Sequence, residues 1–176
     1  MIKPYKLIST KLIHQGWLNL RKDIVKLPNG KLQDYTYAEA PDGVVVLALN
    51  EKNEVLLVEQ YRVPLKKVLV ELVAGRCDKG EDPKHAAKRE LEEETGYQAS
   101  KVIFLGTVYP TVGQMNFTTH IFFAKELKFV GQKLDDTEFL DNKTMPLEEF
   151  KQKILECKLE TSMILAYYLA KEKGLI

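Results

Sequence analysis

The sequence predicts an α+β fold in which helices cover a mixed β-sheet. Short runs that suit β-strands dominate the first two thirds of the 176 residues. One carboxylate-rich helical segment, residues 82–96, follows a strand near the middle, and two amphipathic helical segments close the chain. This order of elements is typical of the class.

Residues 5–37 predict an antiparallel β meander, because apolar and polar side chains alternate in short runs. The Pro-Asn-Gly segment 28–30 favours a turn, since proline presets its own φ and glycine accepts a positive one. Three aromatic residues lie in this part of the chain, namely Trp17, Tyr35 and Tyr37. Aromatic residues are common in strands, so half-buried strand positions are the preferred interpretation and ligand contact is the alternative.

Three apolar runs in the middle of the chain predict further strands, at Val44–Leu49, Val55–Tyr61 and Val68–Ala74. The second run ends on Arg62, which places a guanidinium at a strand end. A surface arginine is usually only solvated, but its planar fork of donors also matches the oxygens of a diphosphate. The third run leads directly into the carboxylate-rich segment.

The last third predicts two strands and two helices. The strands are Val102–Tyr109 and Phe117–Ala124, and the loop between them contains Gly113. Residues 125–144 are polar and predict a loop with one short strand, before helices that begin at Pro146 and near 160. We expect one domain, in which the N-terminal meander of residues 1–40 precedes the main part, residues 41–176.

Composition excludes several classes of function. A net charge of +1 provides no basic field of the kind that non-specific nucleic-acid binding requires. No stretch approaches the roughly 20 apolar residues of a membrane span, and the first residues have no apolar signal core. Two cysteines, Cys77 and Cys157, make no disulfide framework and predict free thiols in a reducing compartment. We expect a cytoplasmic protein that binds neither nucleic acid nor membrane.

The helical segment carries its own start and stop signals. Asp82 is a favoured N-cap residue, Pro83 suits the first helical position and Gly96 suits the exit. Glu90, Glu93 and Glu94 are three or four residues apart or adjacent, so they share one face, where their charges repel unless a cation lies among them. We expect an apolar opposite face, formed by Ala87 and Leu91, to pack on the core.

Taken alone, the segment from Arg89 to Glu94 is most simply a solvated charged surface with an Arg89–Glu93 pair. The whole stretch from Gly75 to Tyr97 changes this interpretation, because it resembles the Nudix box in every position. The matching positions are Gly75, Glu81, Arg89, Glu90, Leu91, Glu93, Glu94, Gly96 and Tyr97.

The resemblance to Nudix hydrolases implies a fold, an activity and a set of roles. It implies an α/β/α sandwich in which the box forms a loop, a helix and a loop. Gly75 permits a close approach of the loop, and a charge pair between Glu81 and Arg89 holds it, so Arg89 is structural. Glu90 and Glu94 are the implied metal ligands, and Glu93 binds a further ion or orients water. The expected cofactor is Mg²⁺, with Mn²⁺ as a substitute.

Two short segments resemble the ADP-ribose and nucleoside-diphosphate-sugar pyrophosphatases within that family. The Q-Y-R segment implies that Arg62 contacts the diphosphate, and E-L-V-A-G implies that the Ala74 carbonyl is a metal ligand. The loop around Gly113 and Asn116 is implied to contact substrate. The subfamily exchanges N-terminal segments between subunits, which implies a homodimer with Trp17, Tyr35 or Tyr37 stacked on the base.

The chain departs from that subfamily at one position. The expected loop glutamate, a general base or metal contact, aligns with Phe117, and no carboxylate lies between Gly106 and Ala124. Glu93 is the first choice for the base, because it lies on the metal face. The second choice is Glu138 or the pair Asp135 and Asp136.

The expected function is therefore metal-dependent hydrolysis of a nucleoside diphosphate linked to another group, to a nucleoside monophosphate and a sugar phosphate. Positioning and charge neutralisation suffice for such phosphoryl transfer. ADP-ribose and nucleoside diphosphate sugars are the expected substrates, with ADP-ribose the poorer one because of Phe117. Dinucleoside polyphosphates and nucleoside triphosphates stay open, as does a non-catalytic nucleotide sensor, although a sensor has no need of an intact box.

Overall fold

The computed structural model describes residues 2–156 and 159–176. The elements in chain order are β1 (Lys6–His14), β2 (Asn19–Lys26), β3 (Leu32–Glu39), β4 (Gly43–Ala48), β5 (Glu54–Arg62), β6 (Lys67–Glu71), β7 (Val73–Arg76), α1 (Pro83–Thr95), β8 (Tyr97–Val108), β9 (Met115–Asn116), β10 (Thr119–Phe129), β11 (Leu140–Pro146), α2 (Leu147–Leu155) and α3 (Thr161–Glu172). Cys157 lies outside the described residues, whereas Cys77 is a free, buried thiol.

The chain divides into two compact units. The first contains the residues up to Pro41 together with Tyr109–Thr118, and the second contains Asp42–Val108 and Thr119–Ile176. The loop between β8 and β10 thus belongs with the N-terminal strands, a grouping that the sequence pattern did not reveal. The expected division into residues 1–40 and 41–176 of one domain stays a prediction.

The first unit is a four-stranded sheet of order β1-β2-β3-β9. β1, β2 and β3 are consecutive antiparallel strands, which confirms the predicted meander, and β9 pairs with β3 in parallel. The predicted turn at 28–30 is present, with Gly30 at φ +86° and its N–H donating to the Leu27 carbonyl.

The second unit contains two sheets, of order β7-β4-β10-β8 and β11-β5-β6. β4 and β10 are parallel, and their neighbours are antiparallel, so the four-stranded sheet is mixed. One core cluster joins the strands to α1 through residues such as Val46, Leu91 and Phe122. The other joins them to α2 and α3 through residues such as Phe123, Phe150 and Met163. Helices therefore cover both sides, which confirms the predicted α+β class and sandwich.

The predicted strand Val68–Ala74 is wrong as a single element. It is broken at Leu72, whose side chain is buried, into β6, which pairs with β5, and β7, which pairs with β4. An apolar run cannot reveal such a break, because both halves are buried and extended.

The predicted loop over residues 125–144 is shorter than expected. β10 continues to Phe129, which lies opposite Tyr97 in β8 with the two rings 5.2 Å apart. This cross-strand aromatic pair stabilises the far end of the hairpin. β11 then pairs with β5 along its whole length.

Candidate active site

Helix α1 is fixed at both ends by the predicted caps. The Asp82 carboxylate accepts hydrogen bonds from the backbone N–H groups of Lys84 and His85, at 2.9 and 3.3 Å. Gly96 ends the helix at φ +77°, and a Cβ atom there would lie 2.7 Å from the backbone nitrogen of Gln132. The Gln132 side-chain amide also donates to the Glu94 carbonyl at 2.6 Å. The helix that carries the glutamates therefore has a fixed start and a fixed end.

Glu90 and Glu94 lie inside the second unit rather than on its surface. They are 7% and 4% exposed, and Ala87 and Leu91 beside them are fully buried. The prediction that Ala87 and Leu91 form the opposite face is wrong. At 100° per residue these four positions span about 100° of the helix, so the apolar residues and the two carboxylates share one buried face.

The Glu90 carboxylate lies directly against the backbone of Gly75. A Cβ atom at Gly75 would be 1.9 Å from the Glu90 carboxyl carbon and 2.1 Å from one of its oxygens. The glycine is required here by close approach. This agrees with the implied role of Gly75 and locates the Glu90 carboxylate beside the loop that precedes α1.

Glu94 is held by the chain segment just before Gly75. Its carboxylate accepts a hydrogen bond from the Ala74 backbone N–H at 3.2 Å. Burial raises the pKa of Glu94 to about 8, more than this hydrogen bond lowers it. Burial also raises the pKa of Glu90. Both groups are therefore carboxylates that a nearby cation would stabilise in their charged form.

Arg89 lies among the carboxylates and bonds to most of them. It donates to both oxygens of Glu81 at 3.1 and 2.9 Å, to the Arg76 carbonyl at 2.9 Å, and to Glu90 and Glu93 at 2.9 Å each. The expected Glu81–Arg89 pair and the simpler Arg89–Glu93 pair are thus both present. Part of the expected repulsion between the glutamates is offset by this guanidinium.

Glu138 lies close enough to influence the buried glutamates. Its negative charge contributes to raising the pKa of both Glu90 and Glu94. It belongs to a turn in which its N–H donates to the Asp135 carbonyl at 2.9 Å. Glu93, by contrast, keeps 37% of its side chain exposed and is bonded to Arg89. Glu138 and Glu93 are thus both candidates for the further carboxylate of the site.

Arg62 ends β5 as predicted, but it is not merely solvated. Its Nε donates to the two oxygens of Glu71 at 2.9 and 3.1 Å, and its Nη2 also donates to Glu71. Glu71 is 6% exposed, and the sequence analysis missed it. The available signal was a single charged residue within the apolar run V-L-V-E-L-V-A.

The other predicted substrate contacts all lie in the first unit. Trp17 is 71% exposed, whereas the Tyr37 hydroxyl donates to Asp23 at 3.0 Å. Asn116 lies opposite Glu39 in the β3–β9 pair, and Gly113 is exposed. Each unit therefore carries its own subset of the predicted residues, with Arg62, Ala74 and the glutamates in the second.

The residues around α1 suit a hard divalent cation by their chemistry. Within residues 2–156 and 159–176, no three His, Cys, Asp or Glu side chains are gathered closely enough to hold a metal ion as they stand. In the structure, Arg89 and the Ala74 N–H bind the carboxylate oxygens instead. The donors are nevertheless the oxygen ligands that Mg²⁺ prefers. Glu90 and Glu94 are buried, and Gly75 leaves room for the Glu90 carboxylate.

In the described part of the chain, no helix is long and apolar enough to cross a membrane.

Comparison with known proteins gives consistent results. The NUDIX domain family matches residues 39–163. The chain is 37% identical over 147 residues to an ADP-ribose pyrophosphatase of Bacillus subtilis, covering 82% of this chain and 80% of that protein. It is 38% identical over 175 residues to a methanol dehydrogenase activator of Bacillus methanolicus, covering 97% and 95%.

A crystal structure of an ADP compounds hydrolase has the same fold. The TM-score is 0.87 at 20% identity, covering 100% of this chain and 99% of that one. The region that matches the NUDIX domain, residues 39–163, contains the buried glutamates of α1, the glycine against one of them and the arginine bound to Glu81. The chain therefore belongs to the Nudix hydrolase family.

Proposed function

We propose that this protein hydrolyses a diphosphate that links a nucleoside to another group, with ADP-ribose and nucleoside diphosphate sugars as the first substrates to test. The observation that carries the proposal is the pair of buried carboxylates, Glu90 against Gly75 and Glu94 against the Ala74 N–H. Burying two anions is costly unless a cation compensates them, and a diphosphate hydrolase needs that cation. The similarity to the ADP-ribose pyrophosphatase of Bacillus subtilis supports ADP-ribose.

The roles follow from the contacts. Glu90, Glu94 and the Ala74 carbonyl would hold divalent cations, for which Mg²⁺ is the proposed ion and Mn²⁺ a substitute. When bound, such cations neutralise the diphosphate charge and make a water more acidic. Arg62 binds the diphosphate through N–H groups that Glu71 leaves available, and Arg89 fixes the loop through Glu81.

A panel of diphosphate compounds tests this function. We expect turnover with Mg²⁺ or Mn²⁺, none in excess chelator, and a loss of orders of magnitude in Glu94→Gln with the fold retained. The panel contains ADP-ribose, nucleoside diphosphate sugars, dinucleoside polyphosphates and nucleoside triphosphates, with products identified. Full activity in chelator or in Glu94→Gln would rule out the metal assignment.

The assignment of the general base is the one that we propose to revise. We propose Glu138, because its charge acts on both buried glutamates, whereas Glu93 is bonded to Arg89. The earlier reason for ranking ADP-ribose low, the phenylalanine at 117, loses its force if Glu138 supplies the carboxylate.

The two assignments predict opposite rankings of two variants. If Glu138 is the base, Glu138→Gln lowers kcat more than Glu93→Gln does, with the Mg²⁺ dependence of both near that of the wild type. If Glu93→Gln is the more damaging change, the first choice made from the sequence is right. Glu149→Gln, at an exposed position on α2, serves as the control for loss of a surface carboxylate.

A second candidate is a protein that acts on a partner enzyme. The relative from Bacillus methanolicus matches nearly the whole chain and is described as an activator of methanol dehydrogenase. Adding wild-type protein and Glu94→Gln to such a dehydrogenase separates the two functions. Activation that survives in Glu94→Gln is independent of hydrolysis and supports this candidate.

We also propose a cytoplasmic homodimer whose N-terminal strands reach the partner's substrate pocket. The support is the exposure of all nine residues of β1, which include Leu7, Ile8, Leu12 and Ile13. Trp17 or Tyr37 is then a candidate to stack on the base, which a substitution by alanine tests through KM. A cytoplasmic location rests on the scarcity of cysteine, and cell fractionation checks it.

A further inference from the structure

The Arg62 side chain must run back along the sheet to reach Glu71. Arg62 lies opposite Lys67, whereas Glu71 lies opposite Val58, so the two Cα positions are four residues apart along the strands. At about 3.3 Å per residue this separation is about 13 Å. The hydrogen bonds between them require the Arg62 side chain to lie back along β5 and β6. It therefore does not extend past the strand end.

This direction brings the guanidinium towards the glutamates of α1. Glu71 is separated from Ala74 by Leu72 and Val73 only, and the Ala74 N–H binds Glu94. The charges of Arg62 and Glu94 accordingly affect each other. Val58 lies opposite Glu71 on the same face of the three-stranded sheet and packs in one cluster with Leu91, so Glu71 and Arg62 lie on the side of that sheet that faces α1.

The pair also leaves hydrogen-bond donors for a ligand. A guanidinium has five N–H groups, and Glu71 accepts from the one on Nε and from one on Nη2. Within the described residues, no hydrogen bond from Nη1 is formed by Arg62. Three N–H groups therefore stay available, in a plane whose orientation the Glu71 carboxylate fixes.

We propose that Glu71 is a positioning residue, which holds the Arg62 guanidinium back along the sheet so that it binds the substrate diphosphate beside the metal carboxylates. This inference rests on the proposed function. For the affinity of the substrate, it predicts a change opposite in sign to that expected from charge alone. Removing a negative charge near a polyanion should tighten binding, whereas losing the orientation of its arginine should weaken it.

The sign of the change in KM decides between these effects. We expect Glu71→Gln to raise KM for ADP-ribose about tenfold, the size expected for a lost charge-assisted contact, with a smaller change in kcat. Glu59→Gln is the matched control, because it breaks an ion pair with Lys143 on the opposite face of β5, the strand that carries Arg62. An unchanged or lower KM in Glu71→Gln would overturn the proposal.

A double-mutant cycle shows whether Glu71 acts through Arg62. If it does, the double variant Glu71→Gln/Arg62→Ala has the same KM as Arg62→Ala alone, because the second change has nothing left to remove. Effects that multiply would show that Glu71 acts independently, and would overturn the proposal. Glu71→Asp keeps the charge on a shorter side chain, and we expect an intermediate KM; it also replaces Glu71→Gln if that variant does not fold.

Two measurements do not depend on turnover. The ¹⁵N NMR signal of the Arg62 Nε–H should be slow to exchange in the wild type and fast in Glu71→Gln, and equal exchange would overturn the proposal. Calorimetric binding of ADP in excess chelator should weaken about tenfold in Glu71→Gln. Wild-type protein that turns over no compound of the panel contradicts the proposed function. Wild-type turnover with unchanged KM in Glu71→Gln contradicts only the role of Glu71.

Discussion

Burial decides the protonation of Glu94, which is 4% exposed. In the folded protein its pKa is raised to about 8, against an ordinary value of 4.5. Between these two pH values an unfolded chain has released a proton that the folded chain keeps. The free energy of unfolding therefore falls as pH rises through this range, by up to about 1.4 kcal/mol per pH unit from this group.

We predict that urea unfolding in excess chelator gives a lower free energy of unfolding at pH 8 than at pH 5. Glu94→Gln should reduce that difference, because the variant has no proton to lose. Glu149→Gln, an exposed position on α2, is the control and should leave it unchanged. An identical pH dependence in wild type and Glu94→Gln would contradict the buried, protonated state.

The contact between Gly75 and Glu90 predicts a variant that damages the site more than the fold. In Gly75→Ala the new methyl group overlaps the Glu90 carboxylate, which must move. We expect turnover to fall by at least about tenfold and to require more Mg²⁺, in line with removal of a transition-state contact. Gly106→Ala is the control, since its Cβ would meet only Leu169 at 3.6 Å. Equal kinetics in the two variants would show that the Glu90 position is not critical.

At the level of elements, the stability of α1 depends on the glycine at its C-terminal end. Gly96 needs both a positive φ and a missing Cβ, because the backbone of Gln132 and Gly131 lies within 3 Å of that position. Gly80 has a similar φ of +82° but nothing within 4 Å of the Cβ position. The two glycines therefore separate backbone strain from steric overlap.

We predict that Gly80→Ala costs about 1 kcal/mol, the strain of a left-handed alanine. Gly96→Ala should cost clearly more, because the loop that closes over α1 must also move. Urea unfolding of both variants measures the difference. Equal losses in the free energy of unfolding would mean that the loop after β10 moves aside without destabilising the protein.

Elements with strong local signals in the sequence were predicted correctly, and features that depend on distant contacts were not. Residues 82–96 carry their own caps, and the helix was predicted correctly. The break at Leu72 has no local signal, because the exchange between sheets is decided by which distant strand pairs with each half. The same applies to the side on which Ala87 and Leu91 lie, although helical geometry alone would have corrected that error.

The candidate site was predictable where a motif fixes it and not where tertiary contacts do. The Glu81–Arg89 pair and the close approach at Gly75 are present as the box implied, whereas the metal-binding roles of Glu90 and Glu94 stay predictions. Glu71 emerges only from the folded chain, because its bond to Arg62 depends on how β5 and β6 pair. Glu138 was the second choice from the sequence, but its effect on the buried glutamates required the fold. The sequence does contain one signal for Glu71, which is a single charged residue within an apolar strand.

At the level of the whole molecule, β1 is the most exposed strand. It lies at the edge of its sheet, and an exposed edge strand with apolar side chains can pair with another chain. We predict a dimer by light scattering at working concentration, and a shift towards monomer in Ile8→Lys. Val130→Lys, in the second unit, is the control. A wild-type monomer would contradict the dimer.

The break at Leu72 has one more consequence. Glu71, which binds Arg62, lies in one sheet, and Ala74, which binds Glu94, lies in the other. Because one short extended segment joins them, covalent geometry sets the distance between these two residues. Three residues of extended chain fix it at about 10 Å. A change in the number of residues between Glu71 and Ala74 should then disturb cleavage of every diphosphate alike.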